Sequence, residues 1–152
     1  MRCSWVLSLF LASCGNGGAL PKHADAGDQL LTPGERCLED ATALREPSAD
    51  APARLELRHI VVRHAEQKYP EGATRTEEQA CLRALDALKQ LQAGGDWDGV
   101  AAEYSDSPMD RLGAVRQEDL EQSFANAAFA LEPNQLSYVV KSNRGFHIIL
   151  RE

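Results

Sequence analysis

The sequence predicts an α+β fold, a mostly antiparallel four-stranded sheet with helices packed around it. Two observations lead there. Apolar residues, 43% of the 152, are concentrated after residue 54, so a single core has to be built from the C-terminal two-thirds of the chain. Within that part the hydrophobic period changes in the order strand, two helices, strand, helix, hairpin, which clusters helices between strands instead of alternating the two one for one. The net charge of -7 adds an exclusion, since an acidic chain lacks the electrostatic footprint of a nucleic-acid binder.

Taken in order, the first segment is a leader. "MRCSWVLSLFLASC" carries a positive residue at Arg2, an apolar stretch from Trp5 to Ala12 and small residues before a cysteine, the layout of a secretory signal. It is too short to span a bilayer, which takes about 20 apolar residues. Leu11-Ala12-Ser13-Cys14 resembles the lipobox of bacterial lipoproteins. That resemblance implies removal of residues 1–13 and lipidation of Cys14 as the new first residue. Gly15 stands where the inner-membrane retention signal has Asp, which implies anchoring in the outer membrane, facing the periplasm. A plain secretory signal with an incidental cysteine is the alternative.

Residues 14–53 shift to Gly, Ala, Pro and Asp, a composition that favours a tether. Its reach, if flexible, is roughly 5–6 Å times the square root of its length. Thr32-Pro33-Gly34-Glu35 places a cap residue, a proline and a glutamate where a helix begins, and predicts a short helix to about Leu44. With Cys3 in the leader and Cys14 acylated, Cys37 and Cys81 remain in a compartment that permits disulfides. They are able to pair. Cys81, however, recurs with Ala84, Leu85, Leu88 and Leu91 on one helical face, and the expectation is a buried free thiol.

The domain itself covers residues 54–152. Leu55 to Arg63, rich in β-branched residues, predicts a strand buried on both faces near its end. Thr76 caps a long amphipathic helix to Gln92, with Glu77 and Glu78 in its first turn and Gly94-Gly95 after it. Asp96 opens a shorter helix to Tyr104. A strand is expected at Leu112 to Val115, a helix through Leu120, Phe124, Ala128 and Leu131, and a final hairpin of Leu136 to Lys141 and Phe146 to Arg151 around a turn at Ser142-Asn143-Arg144-Gly145.

Two histidines interrupt otherwise apolar strands, His59 in the first and His147 in the last. A buried imidazole needs a hydrogen-bond partner, because leaving one unpaired costs about 1–3 kcal/mol. The expected partner of each is the other ring, one donating and one accepting. Satisfied core histidines are the competing reading. His23 and His64 bring the histidines to four, yet no carboxylate or cysteine stands at ligand spacing beside them, so neither metal nor cofactor is expected.

At these residues the chain resembles the parvulin-type peptidyl-prolyl cis-trans isomerases. The matching blocks are "LRHIVVRH" at 57–64, "GGDWDGVAAEYSDSP" at 94–108, "LGAV" at 112–115, "SFANAAFALEPNQLS" at 123–137 and "GFHIIL" at 145–150, in the family's order. The resemblance implies a parvulin-like domain of the FKBP-like superfold. It further implies that His59 and His147 are the paired sheet histidines, with Ser142 supporting them by its hydroxyl. Ser107 is then the polar position facing the substrate, and Leu112, Leu120 and Phe124 form the pocket for the proline ring. Departures are Arg111 in place of the aspartate of "GDLG", a shortened loop between Ser107 and Leu112, and Ser137-Tyr138-Val139 in place of "SGP".

The implied activity is isomerisation of X–Pro bonds in unfolded or exported polypeptides at the bacterial cell envelope, by a monomer tethered to the membrane through Cys14 and without a nucleic-acid partner. The alternative is a peptide-binding or chaperone module that uses the same groove with little turnover. Arg63, Lys68 and Arg75 bracket the first loop, where some relatives hold a phosphate; a solvated charged loop is expected here.

Overall fold

The computed structural model describes residues 30–152; Cys14, His23 and the leader lie outside the described residues. Local sequence rules account for each helix start. Thr32 and Glu35 form a reciprocal capping box at α1 (Pro33–Thr42), and Thr76 and Gln79 form another at α2 (Glu77–Gln92). The Asp96 side chain accepts the Gly99 N–H to start α3 (Trp97–Tyr104), and that of Glu121 caps α4 (Gln122–Phe129). The strands are β1 (Leu55–Val62), β2 (Arg111–Val115), β3 (Val140–Ser142) and β4 (Gly145–Arg151), with a 3₁₀ turn at Gln117–Asp119.

All strand neighbours are antiparallel, in the order β2-β1-β4-β3, so the two histidine-bearing strands are central. Alternation then sorts side chains to two faces. Ile60, Val62, Phe146 and Ile148 pack with α1, α2 and α3, while Leu55, Leu57, Val140 and Ile149 pack with α4 through Phe124, Ala128 and Phe129. Full burial of side chains such as Phe146, Ile60 and Ile148 contributes about 1.5–3 kcal/mol each. The α+β class and the four-stranded antiparallel sheet are as expected.

Three expectations require correction. Cys81 is not a free thiol: it is disulfide-bonded to Cys37, joining α2 to α1. The helical face does bury Cys81 as expected, but α1 docks on that same face and brings Cys37 to it. The segment assigned to a tether is therefore part of the folded unit from Leu31 onward, which moves the domain's start ahead of residue 54. Finally, β3 is three residues long instead of six. Upstream of it only a single bridge, Leu136 with Leu150, continues the pairing. The Ser137 hydroxyl takes the Ile149 N–H at 2.9 Å, standing in for a backbone carbonyl, so the ladder lapses there.

Candidate active site

The register of β1 and β4 brings the two histidines together. His59 stands opposite Ile149 and His147 opposite Val61, which puts both rings on one face of the sheet, diagonal to each other. Their ring centroids are 5.5 Å apart and their planes 20° from parallel. Phe124, delivered by α4, meets both edge-on, at 5.8 Å from His59 and 5.0 Å from His147. Edge-to-face contact sets the positive rim of one ring against the negative face of the other, so the three aromatics brace one another.

The expected hydrogen bond between the imidazoles is not made. Stacked rings cannot aim an N–H of one along a lone pair of the other, and each turns its Nε2 to a separate partner. His59 Nε2 lies 3.1 Å from the Met109 carbonyl, an acceptor only, so this nitrogen carries the proton. His147 Nε2 meets the Ser142 hydroxyl at 2.7 Å. The Nδ1 of each ring is buried without a hydrogen-bond partner. Burial pushes the His147 pKa down to about 3, helped by the neighbouring His59 and by the positive charges of Arg144 and Arg63. Burial is also the main reason that His59 is lowered, with Arg144 adding to it. Both imidazoles are neutral at pH 7.

The hairpin after β3 holds Ser142 in place. Gly145 closes it at a φ of +120°, and a Cβ there would run into the Val62 carbonyl, so only glycine lets the turn approach β1 this closely. The Ser142 hydroxyl also accepts the Arg144 N–H at 3.0 Å.

His59, His147 and Ser142 line one cavity of about 420 Å³ with Leu112, Leu120 and Phe124, so six of the seven domain residues expected at the site converge. Ser107 is the exception. It borders a neighbouring recess with Asp98, Ala101 and Asp106. Its hydroxyl donates to the Met109 carbonyl and accepts the Met109 N–H, both at 3.2 Å. It thus braces the loop whose carbonyl holds His59, one step removed from the cavity.

Sequence reasoning missed the cavity's polar rim, Tyr69, Asp119, Glu121, Asn143 and Arg144. It also missed Arg58, which reaches Asp110 and Asp98 from the opposite face of β1 and lies 5.2 Å over the Trp97 ring. Asp110 is held below the usual carboxylate range, chiefly by its hydrogen bond from Arg58. The Asp110 carbonyl in turn receives the His59 backbone N–H at 2.7 Å, so this ion pair fixes the loop beside the imidazole. A charge in the middle of "LRHIVV" was the available signal.

Two of the three cations that bracket the first loop are paired within the protein. Arg63 pairs with Glu71 at 2.9 Å and donates to the Asp106 carbonyl at 2.7 Å, and Arg75 pairs with Asp106 at 2.8 Å. Among the described residues, no group of three His, Cys, Asp or Glu is arranged to hold a metal ion.

Residues 59–152 match the rotamase family, the PPIC-type PPIase domain. The chain is 36% identical over 104 residues to the chaperone SurA of Methylobacillus flagellatus, covering 66% of this chain and 23% of that protein. It is 34% identical over 103 residues to the peptidyl-prolyl cis-trans isomerase pin1 of Schizosaccharomyces pombe, covering 61% of this chain and 59% of that one. The chain thus spans under two-thirds of the length of both relatives. Among solved structures, the peptidyl-prolyl isomerase ESS1 from Candida albicans superposes with a TM-score of 0.61 at 21% identity, over 69% of this chain and 64% of that one, a likeness of fold.

Proposed function

From the premise that this chain belongs to the PPIC-type, or parvulin, family of peptidyl-prolyl cis-trans isomerases, we propose that it rotates X–Pro bonds of exported polypeptides in the cavity between His59, His147 and Phe124. The observation that carries the reading is the three-ring cluster that, with Leu112 and Leu120, walls the recess beneath its polar rim.

An X–Pro amide resists rotation by roughly 18–20 kcal/mol because its resonance is lost in the twisted state, and no bond is made or broken. A pocket that grips the ring and favours the twisted geometry over either planar isomer is sufficient. A thousandfold acceleration asks for only about 4 kcal/mol of such preference. Leu112, Leu120 and Phe124 hold the ring in this proposal. Neutral His59 and His147 shape and dry the pocket and do not carry protons. Ser142 fixes His147, and Ser107 acts through Met109 on His59.

The client class follows from the charges. Arg63 and Arg75 are engaged by Glu71 and Asp106, which supports unphosphorylated segments as substrates. The secretory layout of residues 1–14 supports action in the cell envelope, with a lipid on Cys14 as the anchor and the outer membrane as its site. The Cys37–Cys81 disulfide supports the same placement, because such bonds persist in oxidising compartments. A holding mode with slow turnover has one observation in its favour, the displacement of Ser107 from the cavity.

A protease-coupled assay on a short X–Pro peptide tests the proposal. Wild type is expected to turn it over, and Phe124→Ala to lose at least about tenfold in kcat/KM, as expected when transition-state contacts of a few kcal/mol are removed. Equal activity in the two proteins refutes the pocket assignment, and binding without turnover assigns the holding mode.

A further inference from the structure

A second groove runs beside the proline cavity on the side of α1. Its walls are the end of α1 and the chain after it, Thr42 to Arg45, against Glu121 and Ser123, and its floor is Val139 to Asn143. It holds about 380 Å³ and shares Glu121, Ser142 and Asn143 with the cavity, so the two recesses form one trough. We propose that this groove is a subsite for apolar residues of the same client polypeptide that flank the X–Pro bond. The inference rests on the isomerase reading above and deepens it, from a pocket for one ring to a site for an extended segment.

Several observations assign that occupant. The floor is β3, the edge strand of the sheet, and an edge strand in a groove is the common setting for an added extended chain. Several of the polar groups around it are already engaged, though the Asp40 carboxylate and the Asn143 amide also line it. Lys141 is paired with Glu77, and its carbonyl takes the Ser123 hydroxyl at 2.6 Å. Glu121, which caps α4, lies 2.7 Å from the same hydroxyl and shares its single proton with that carbonyl.

Between them the groove presents apolar side chains, Ala41, Ala43, Leu44, Val139 and Val140. Leu44 is 94% exposed at the rim, beside Ala43 and above Val139 on the floor. The wall that carries Leu44 is set by α1, which the Cys37–Cys81 bond ties to α2. The Arg45 guanidinium adds a fixed point by lying 5.5 Å over the Tyr138 ring. A chain leaving the proline cavity past Ser142 and Asn143 meets this rim next.

The test uses the full-length protein and two synthetic peptides, one of four residues and one of ten, sharing the same X–Pro centre, the longer with Leu and Phe on both flanks. Each is titrated as a competitor of X–Pro turnover. Wild type is expected to bind the longer peptide about tenfold more tightly, the order expected for burying one Leu-sized side chain. In Leu44→Asp that advantage is expected to fall to about threefold or less, with an unchanged melting temperature because the residue is exposed. Equal binding of both peptides by wild type overturns the proposal, as it would if the chain's own N-terminal residues filled the groove. So does an advantage retained in Leu44→Asp, or one that depends on protein concentration, which would assign the groove to a second copy. If neither peptide is turned over, the isomerase reading fails. The groove is then tested by fluorescence anisotropy of the labelled longer peptide, with the same variant deciding it.

Discussion

His147 shows how far one buried side chain can tie stability to pH. Its folded pKa is about 3, lowered by burial and then by His59, against an ordinary imidazole value of 6.5. Between those values the unfolded chain binds a proton that the folded chain refuses. Stability from this group is therefore complete above pH 6.5 and is lost as the pH falls toward 3, by about 1.4 kcal/mol per pH unit. His59, also lowered by burial, acts in the same direction. Urea unfolding at pH 7, 6 and 5 is expected to show this slope, and His147→Asn is expected to flatten it. A wild-type slope unchanged in that variant would show that the imidazole is not the titrating group. Turnover, by contrast, is expected to stay level from pH 7 to 8, where burial keeps both rings neutral. A rate that follows a titration near neutral pH would instead make one of them a proton carrier.

At the scale of elements, legibility depended on whether the signal was local. Thr76, Asp96 and Thr32 marked their helix starts because a cap is settled by residues three apart in sequence. The nearness of the two histidines was legible from their place in two apolar strands, and the pocket residues through the order of the blocks, which carries topology that spacing alone does not. The disulfide was not legible. Cys81 on an inward helical face looks the same as a thiol or a half-cystine, and the difference lies in the docking of α1, more than forty residues away. Nor was the displacement of Ser107, whose hydroxyl is taken up by the Met109 backbone two residues on.

That docking makes a specific prediction. The bond closes a loop with a sequence separation of 44, for which the chain-entropy account gives a stabilisation of about 4 kcal/mol as an upper value. Reduction, or the double variant Cys37→Ala, Cys81→Ala, is expected to lower stability by about 2–4 kcal/mol in denaturant titration. α1 should then become the first segment to exchange its amide hydrogens. If α1 kept its protection after reduction, packing against α2 alone would account for its place.

For the whole molecule the remaining question is what holds it at a membrane, if its site is the envelope. No helix among the described residues is long and apolar enough to cross one. The net charge of -7 gives no overall attraction to an anionic lipid surface, which draws basic segments by about 1 kcal/mol per Lys or Arg. In the proposed arrangement the anchor is the lipid on Cys14. A single acyl chain gives only marginal, reversible binding and stable anchoring takes two signals. Loss of the thiol should consequently be all or none. Expressed in a bacterium, the full chain is expected to partition into the detergent phase of an extract at a mass that fits loss of residues 1–13 plus acyl groups. Cys14→Ala should appear in the aqueous phase or keep its leader uncleaved, with the X–Pro activity of the purified domain intact, because the cavity and the disulfide lie downstream of residue 30. A Cys14→Ala protein that is cleaved and still enters the detergent phase would place the anchor elsewhere.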